Sequence, residues 1–301
     1  MELRSASEWQ QARSFHHSRF APELLHSRRE RISICLPARN CAQTIGAIVE
    51  ALGRLRDQGL IDEIVVIDGD SSDGTARLAR RAGATVHSQS ALMPEIGPVF
   101  GKGDAMWRAL SVLHGEIVCF IDADIEEFSP HYVTGLVGAL VELDEVEFVK
   151  GYYRRPLRVG EIELPDGGGR VNHLMARPAL AIFYPELAGI YQPLAGEVAA
   201  RRRLLDRIPF ATGYGVEISM LLDVWEAVGL NGLAQVDLDV HHNHHQSLET
   251  LSAMAYEVLH VIANRLERDG RLSALEPGPL LGREHRHVEP PRERPPIESL
   301  R

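Results

Sequence analysis

Asp122 and Asp124 stand one residue apart at the end of the apolar run 117–121. Two carboxylates that close repel unless a cation lies between them, and hard oxygen donors suit Mg²⁺ or Mn²⁺. An ion of that kind commonly accompanies a diphosphate, so the pair points to a phosphorylated ligand. Lys102 lies between Gly101 and Gly103. The glycines let backbone approach a phosphate, and the ammonium can offset charge on a departing diphosphate, although a solvated lysine has the same look. A second anion site is expected at 167–170, where Gly167, Gly168 and Gly169 run into Arg170 at the start of a helical pattern. Unpaired backbone N–H groups and a guanidinium there would hold a phosphate or carboxylate. Arg154, Arg155 and Arg158 either reinforce that positive field or act as structural ion partners. Four histidines among residues 241–245 offer imidazole to a metal, or simply form a solvated loop.

The elements that must position these groups follow from the apolar pattern. Residues 32–36 form a short apolar run stopped by Pro37, and 41–55 then repeat with helical spacing. Strand signals recur at 63–68, 85–87 and 116–122, and helical ones at 76–82 and 101–114. The 116–122 run is apolar on both faces, as befits the centre of a sheet. Such alternation predicts an α/β fold, a Rossmann-like, mostly parallel sheet flanked by helices. Ligands of such sheets sit beyond the carboxyl ends of the strands. Residues 37–40, 68–70 and 122–124 therefore converge on one crevice. Beyond Lys150 helices are expected at 170–182, 216–228 and 248–266, with a strand at 233–240.

Composition narrows the partners. The 301 residues carry 32 Lys and Arg against 42 Asp and Glu, a formal charge of −10. That argues against broad nucleic-acid or anionic-membrane binding, so an anionic substrate needs a local basic pocket. Cys35, Cys41 and Cys119 are too few and too irregular for a disulfide framework, and no apolar run reaches the ~18 residues of a membrane span. A cytoplasmic enzyme is expected, divided into an amino-terminal segment (1–30), a first α/β domain (31–150), a helical extension that receives a second substrate (151–283) and a disordered tail (284–301).

Taken together, Pro37 to Asn40, Val66 to Thr75 and Phe120 to Asp124 resemble the nucleotide-sugar domain of GT-A fold glycosyltransferases. Further motifs sharpen the likeness: Gly101 to Gly103 with Trp107, Val149 to Pro156, Gly167 to Val171, Ala176 to Pro178, Gln192 to Glu197 and Gly213 to Ile218. Over about residues 31–266 the chain resembles the glucosyl-3-phosphoglycerate synthases and the related mannosyl-3-phosphoglycerate synthases.

The resemblance implies retaining transfer of a hexose from a nucleoside diphosphate sugar, UDP-glucose foremost, to the 2-hydroxyl of 3-phosphoglycerate. GDP-mannose is the alternative donor. It places Pro37, Ala38, Arg39, Asn40, Asp68 and Gly69 around the nucleoside, and Lys102, Asp122, Ala123, Tyr214 and Glu217 around the diphosphate and sugar. Glu217 would orient the hexose, and the backbone carbonyl of Leu194 would lie near the attacking hydroxyl. Gly169, Arg170 and Asn172 would hold the acceptor. Asp124 would bind Mg²⁺ or Mn²⁺ with one histidine, His244 or else His242, since gapless comparison puts the family's histidine at Asn243. The family also implies a homodimer. Two departures bear on specificity: Cys41 replaces an acidic residue, and Asn172 replaces a threonine whose hydrogen bond an amide can still make.

Overall fold

The computed structural model describes residues 5–159, 162–164, 167–242, 246–273, 280–281, 287–288 and 290–300. Its strands are β1 (Ser14–His16), β2 (Ile32–Ala38), β3 (Glu63–Asp68), β4 (Thr85–Ser88), β5 (Ile117–Phe120), β6 (Phe148–Arg154), β7 (Leu157–Val159), β8 (Ile162–Leu164), β9 (Val198–Arg201), β10 (Phe210–Ala211), β11 (Leu233–Val240), β12 (Leu280–Leu281), β13 (His287–Val288) and β14 (Glu293–Arg294). The α-helices are α1 (Ala6–Arg13), α2 (Ile45–Asp57), α3 (Thr75–Arg81), α4 (Gly101–Ala109), α5 (His131–Glu142), α6 (Arg177–Phe183), α7 (Arg202–Leu205), α8 (Val216–Val228) and α9 (Leu248–Arg268).

Eight strands form one sheet in the order β1-β11-β6-β9-β5-β2-β3-β4. Neighbours are parallel except at β9, which runs antiparallel to both β5 and β6. All four residues of β5 are buried, as its two-sided apolar pattern demands. Strand periodicity divides the core. Ile34 and Leu36 of β2 and Cys119 of β5 join α2 and α5 on one face. Cys35, Val118 and Phe120 join α4, α8 and α9 on the other. The mostly parallel α/β fold is as the sequence indicated. β9 enters between β5 and β6 from the far side of residue 150, so one sheet draws strands from both of the expected central regions.

The chain ends are more integrated than their composition suggested. In the amino-terminal segment Trp9 is completely buried, and its indole N–H donates to the carbonyls of Leu230 at 2.9 Å and Leu233 at 3.1 Å. β1 then extends the sheet by pairing with β11. The disordered tail expected at 284–301 is corrected over residues 290–300. There β14 pairs with β10, Arg294 forms an ion pair with buried Asp104, Trp107 donates to Pro295 O at 2.9 Å, and Ile297 is buried. Proline and charge dominate this segment, but its few specific contacts fall on groups that α4 leaves waiting, which no local pattern encodes.

Because Trp9 fills its site and satisfies two carbonyls, Trp9→Ala should destabilise the protein by about 3–5 kcal/mol. A denaturation midpoint close to wild type would show that the amino-terminal segment is dispensable to the fold.

Candidate active site

The crevice lies along the carboxyl ends of β2, β3, β5, β6 and β11. β9 is antiparallel, so its beginning, not its end, reaches the same edge: Val198 pairs with Phe120 and with Lys150. This brings the loop 192–197 beside Asp122 and Asp124. Gly196 is needed there, since a Cβ would fall onto the Asp122 carboxylate oxygens.

Lys102, in the first turn of α4, reaches Asp122 Oδ1 at 2.5 Å and Glu217 Oε1, in the first turn of α8, at 2.7 Å. The two helices approach closely because position 103 is glycine; a Cβ there would strike the Ala211 carbonyl. Burial opposes the charge on Lys102, but Asp122 and Glu217 outweigh it and raise the ammonium well above its ordinary value. Burial likewise opposes ionisation of Asp122, yet Lys102 holds its carboxyl below the usual range. Asp124 is pushed the other way, first by desolvation and then by the charge of Asp122. One carboxylate is thus neutralised within the protein and its neighbour is not.

Two loops close the opposite rim. Asn40 and Asp70 both adopt left-handed backbone, at φ 54° and 56°. Asn40 N–H donates to Ser71 Oγ at 2.9 Å, its Oδ1 accepts from Ser72 N–H at 3.0 Å, and Gly69 N–H donates to Ala38 O at 2.8 Å. Arg39 stays exposed, while Pro37 is only half-buried. Asp68 is buried, and its Oδ2 accepts from Ser71 N–H at 3.1 Å. Its Oδ1 has no hydrogen-bond partner among the described residues, which leaves an acceptor for a ligand N–H or hydroxyl. Cys41 is half-buried, and its amide donates to Thr75 Oγ1. The Ala123 carbonyl accepts from Thr44 Oγ1 at 2.5 Å. Tyr214 is 46% exposed, its amide held by Glu257 of α9 at 2.6 Å.

Beneath the crevice sits a buried polar group formed by Tyr153, Glu197, His241 and Lys150. Tyr153 hydroxyl donates to Glu197 Oε2 at 2.7 Å, and the His241 ring stacks on Tyr153 at 4.3 Å. Glu197 is fully buried; desolvation and the Asp122 charge push it up to about 7. Burial and Arg155 drive His241 down to about 3, and its Nε2 has no partner among the described residues. Lys150 donates to Ala195 O at 2.8 Å, and burial brings it down to about 8. The signal for His241 was present in its position directly after β11.

A cavity beside the loop 192–197 is lined by Arg155, Gly169, Arg170, Gln192 and Leu194, among others. Arg170 donates to Gln246 O at 2.9 Å. The free glycine amides expected at 167–170 are partly taken: Gly167 donates to Leu164 O and Gly168 to Arg155 O. Gly169 takes the left-handed conformation, φ 65°. Asn172 lines the cavity yet is mostly buried, and its amide is used on backbone: Nδ2 donates to Tyr191 O at 3.2 Å and Oδ1 accepts from Leu194 N–H at 3.3 Å. Its part is to fix the turn carrying Leu194. Arg155 sits over the Tyr153 ring at 5.5 Å, whereas Arg154 is exposed and the Arg158 side chain lies outside the described residues.

For a divalent ion the donors fit. Asp124 carries a carboxyl on which burial and the Asp122 charge outweigh the attraction of Lys102 and Arg155, and oxygen with imidazole suits Mg²⁺ or Mn²⁺. His242 lies 3.9 Å from Glu127 at the same end of β11. His244 and Asn243 lie outside the described residues.

A mostly parallel sheet whose strand ends bring an Asp-x-Asp pair, a lysine and a nucleoside-sized rim together is that of a GT-A glycosyltransferase. Residues 33–192 match the family described as Glycosyl transferase family 2. The chain is 43% identical to the glucosyl-3-phosphoglycerate synthase of Petrotoga mobilis, over 86% of this chain and 82% of that protein. Among solved structures, it superposes on mannosyl-3-phosphoglycerate synthase from Rubrobacter xylanophilus with a TM-score of 0.91, at 44% identity and full coverage of both chains. It also matches glucosyl-3-phosphoglycerate synthase from Mycobacterium tuberculosis in complex with Mn²⁺, UDP-glucose and phosphoglyceric acid, with a TM-score of 0.80 at 36% identity, covering 100% of this chain and 97% of that one. The chain belongs to the glucosyl-3-phosphoglycerate synthase family, as its motifs indicated.

Glu197 supplies a pH signature for the site. Its folded value of about 7 lies above the ordinary 4.5, so as pH rises between them the unfolded chain releases a proton that the folded one keeps. Folding stability therefore falls across that window. Glu197→Gln should flatten this part of the stability profile, measured by denaturation from pH 4 to 8; an unchanged slope would assign it to other groups.

Proposed function

We propose that the protein transfers glucose from UDP-glucose, or another nucleoside diphosphate glucose, to the 2-hydroxyl of 3-phosphoglycerate with retention at the anomeric carbon. The observation that carries this is the loop 192–197. At one end Gly196 packs on the donor-side carboxylate Asp122, and at the other Leu194 lines the arginine-bearing cavity. A hydroxyl held in that cavity thus arrives beside a sugar held against Asp122 and Glu217.

Each side chain then has a task. Asp68, with the Pro37–Asn40 and Gly69 backbone, receives the nucleoside. Asp122 and Glu217 accept sugar hydroxyls, and their hold on Lys102 keeps its ammonium charged beside the diphosphate. Tyr214 and Ala123 border the donor. Asp124, with His242 or His244, would hold Mg²⁺ or Mn²⁺, which supplies further charge neutralisation to the leaving diphosphate. Arg170, Gly169 and Arg155 bind the carboxylate and phosphate of the acceptor. The acceptor hydroxyl bonds to the anomeric carbon on the face the diphosphate leaves, and its proton passes to a departing phosphate oxygen. The Leu194 carbonyl orients that hydroxyl, and no protein nucleophile is required.

The TM-score of 0.91 to a mannosyl-3-phosphoglycerate synthase favours GDP-mannose as the second donor to consider. A donor-by-acceptor screen with purified protein and metal decides: UDP-glucose with 3-phosphoglycerate should give the phosphorylated glucoside. Product from GDP-mannose alone would move the protein to the second reading, and none from any nucleotide hexose would refute both. We also place the enzyme in the cytoplasm as a homodimer joined through α9, where Leu248 and Leu259 are exposed. Among the described residues no helix is long and apolar enough to cross a membrane.

Two substitutions separate the subsites. Asp124→Ala should abolish metal-dependent UDP binding in calorimetry. Arg170→Ala should raise the acceptor KM by about tenfold or more while sparing donor binding; an unchanged acceptor KM would remove Arg170 from the site.

A further inference from the structure

At the outer edge of the sheet, where β1 ends, His16 and the next residue, His17, meet one aspartate of β11. His16 Nε2 lies 3.0 Å from Asp239 Oδ1, and His17 Nε2 lies 2.7 Å from Asp239 Oδ2. One ligand atom from each residue falls within 4.8 Å of the others. We propose that His16, His17 and Asp239 form a second metal site, for a zinc-type divalent ion, that clamps β1 to β11.

The donor chemistry selects the ion. Two imidazole nitrogens and one carboxylate make a borderline set that favours Zn²⁺ over Mg²⁺, with water completing the tetrahedron. Bonds of about 2.0–2.1 Å in that geometry put ligand atoms about 3.3 Å apart, so small side-chain shifts suffice. The surroundings orient the ligands. Ser18 positions the His16 ring: its backbone N–H donates to Nδ1 at 3.3 Å and its Oγ lies 2.7 Å from the same nitrogen, so Nε2 is the nitrogen turned toward Asp239. The His17 ring is stacked on His131 at 4.1 Å and 25°. His131 is itself placed by Nε2 on the Leu238 carbonyl at 3.1 Å, so it supports rather than ligates.

The backbone is bent to aim the carboxylate. The β11 register breaks between Asp237 and Val240, and Asp239 there takes the left-handed conformation at φ 68°. For a non-glycine residue that conformation is strained. A bulge of this kind redirects a side chain, here toward the edge that β1 occupies. The side chains of His16 and Asp239 are about half exposed, so an ion can enter from solvent. β11 and β1 are three and four strand positions from β5, about 14 and 19 Å, which separates this site from Asp122 and Asp124. β1 holds β11 through only three residue pairs, so a bound ion would add a cross-link to a short pairing at the edge of the sheet.

Zinc titration of the full-length, nucleotide-free protein against a chromophoric chelator tests this, comparing wild type with His16→Gln and Asp239→Asn. The histidines at 241–245 are common to all three proteins, so the difference isolates the β1–β11 site. Each variant should lose one zinc equivalent or bind it about tenfold or more weakly, and should lose the part of the Co²⁺ visible absorption that belongs to it. Wild-type stoichiometry and affinity in His16→Gln, whose half-exposed side chain can change without disturbing the bulge, would overturn the proposal even if Asp239→Asn failed to fold.

Discussion

One ammonium group sets the electrostatics of the crevice. Lys102 sits between Asp122 and Glu217, and against the burial of Asp122 it holds that carboxyl below its usual range inside a partly enclosed site. Asp124 feels Lys102 less, and burial together with the charge of Asp122 pushes its carboxyl up. The asymmetry makes the two aspartates different in kind. One is a fixed acceptor whose charge is already balanced, suited to sugar hydroxyls, and the other is an unbalanced carboxylate suited to a metal ion. The neighbouring acids feel the same field, since Glu197 is fully buried and titrates high partly because Asp122 does not give up its charge.

Holding that arrangement requires backbone to come unusually near backbone or side chain. Gly103 lets α4 lie against the strand that precedes α8, so that the first turns of the two helices present Lys102 and Glu217 to each other. Gly196 lets the loop before β9 rest on the Asp122 carboxylate. β9 matters through its direction. In a parallel strand the preceding loop would open at the opposite edge of the sheet, far from the crevice; as an antiparallel insertion it delivers Leu194, Gly196 and Glu197 to the carboxyl ends of β5 and β6. Donor and acceptor regions meet because of that reversal.

The strands bearing the aspartates were legible locally. Residues 63–68, 216–228 and 233–240 coincide with β3, α8 and β11, since burial on one or both faces leaves a periodic trace. Asp122, Asp124, Lys102 and Glu217 were all identified, and they do come together. Asn172 was legible as a residue of the acceptor cavity but not in its use, because an amide's partners depend on which backbone folds over it. His242 and His244 were preferred to His241, although the His241 ring stacks on Tyr153. The tail was misjudged because composition reports the average behaviour of a segment, whereas Arg294 and Ile297 act through single contacts with Asp104 and the core.

From the sequence by itself came the fold class, the crevice at the strand ends, the motifs that define the family and the chemistry of its charged residues. These are properties of residue type and short-range spacing, which persist in the unfolded chain. Tertiary structure alone decided which aspartate Lys102 neutralises, which way β9 runs, that Trp9 and Ile297 close the core, and that His16 and His17 meet Asp239. Each of those outcomes joins residues distant in sequence through burial and charge compensation, and such interactions have no local pattern from which to be read.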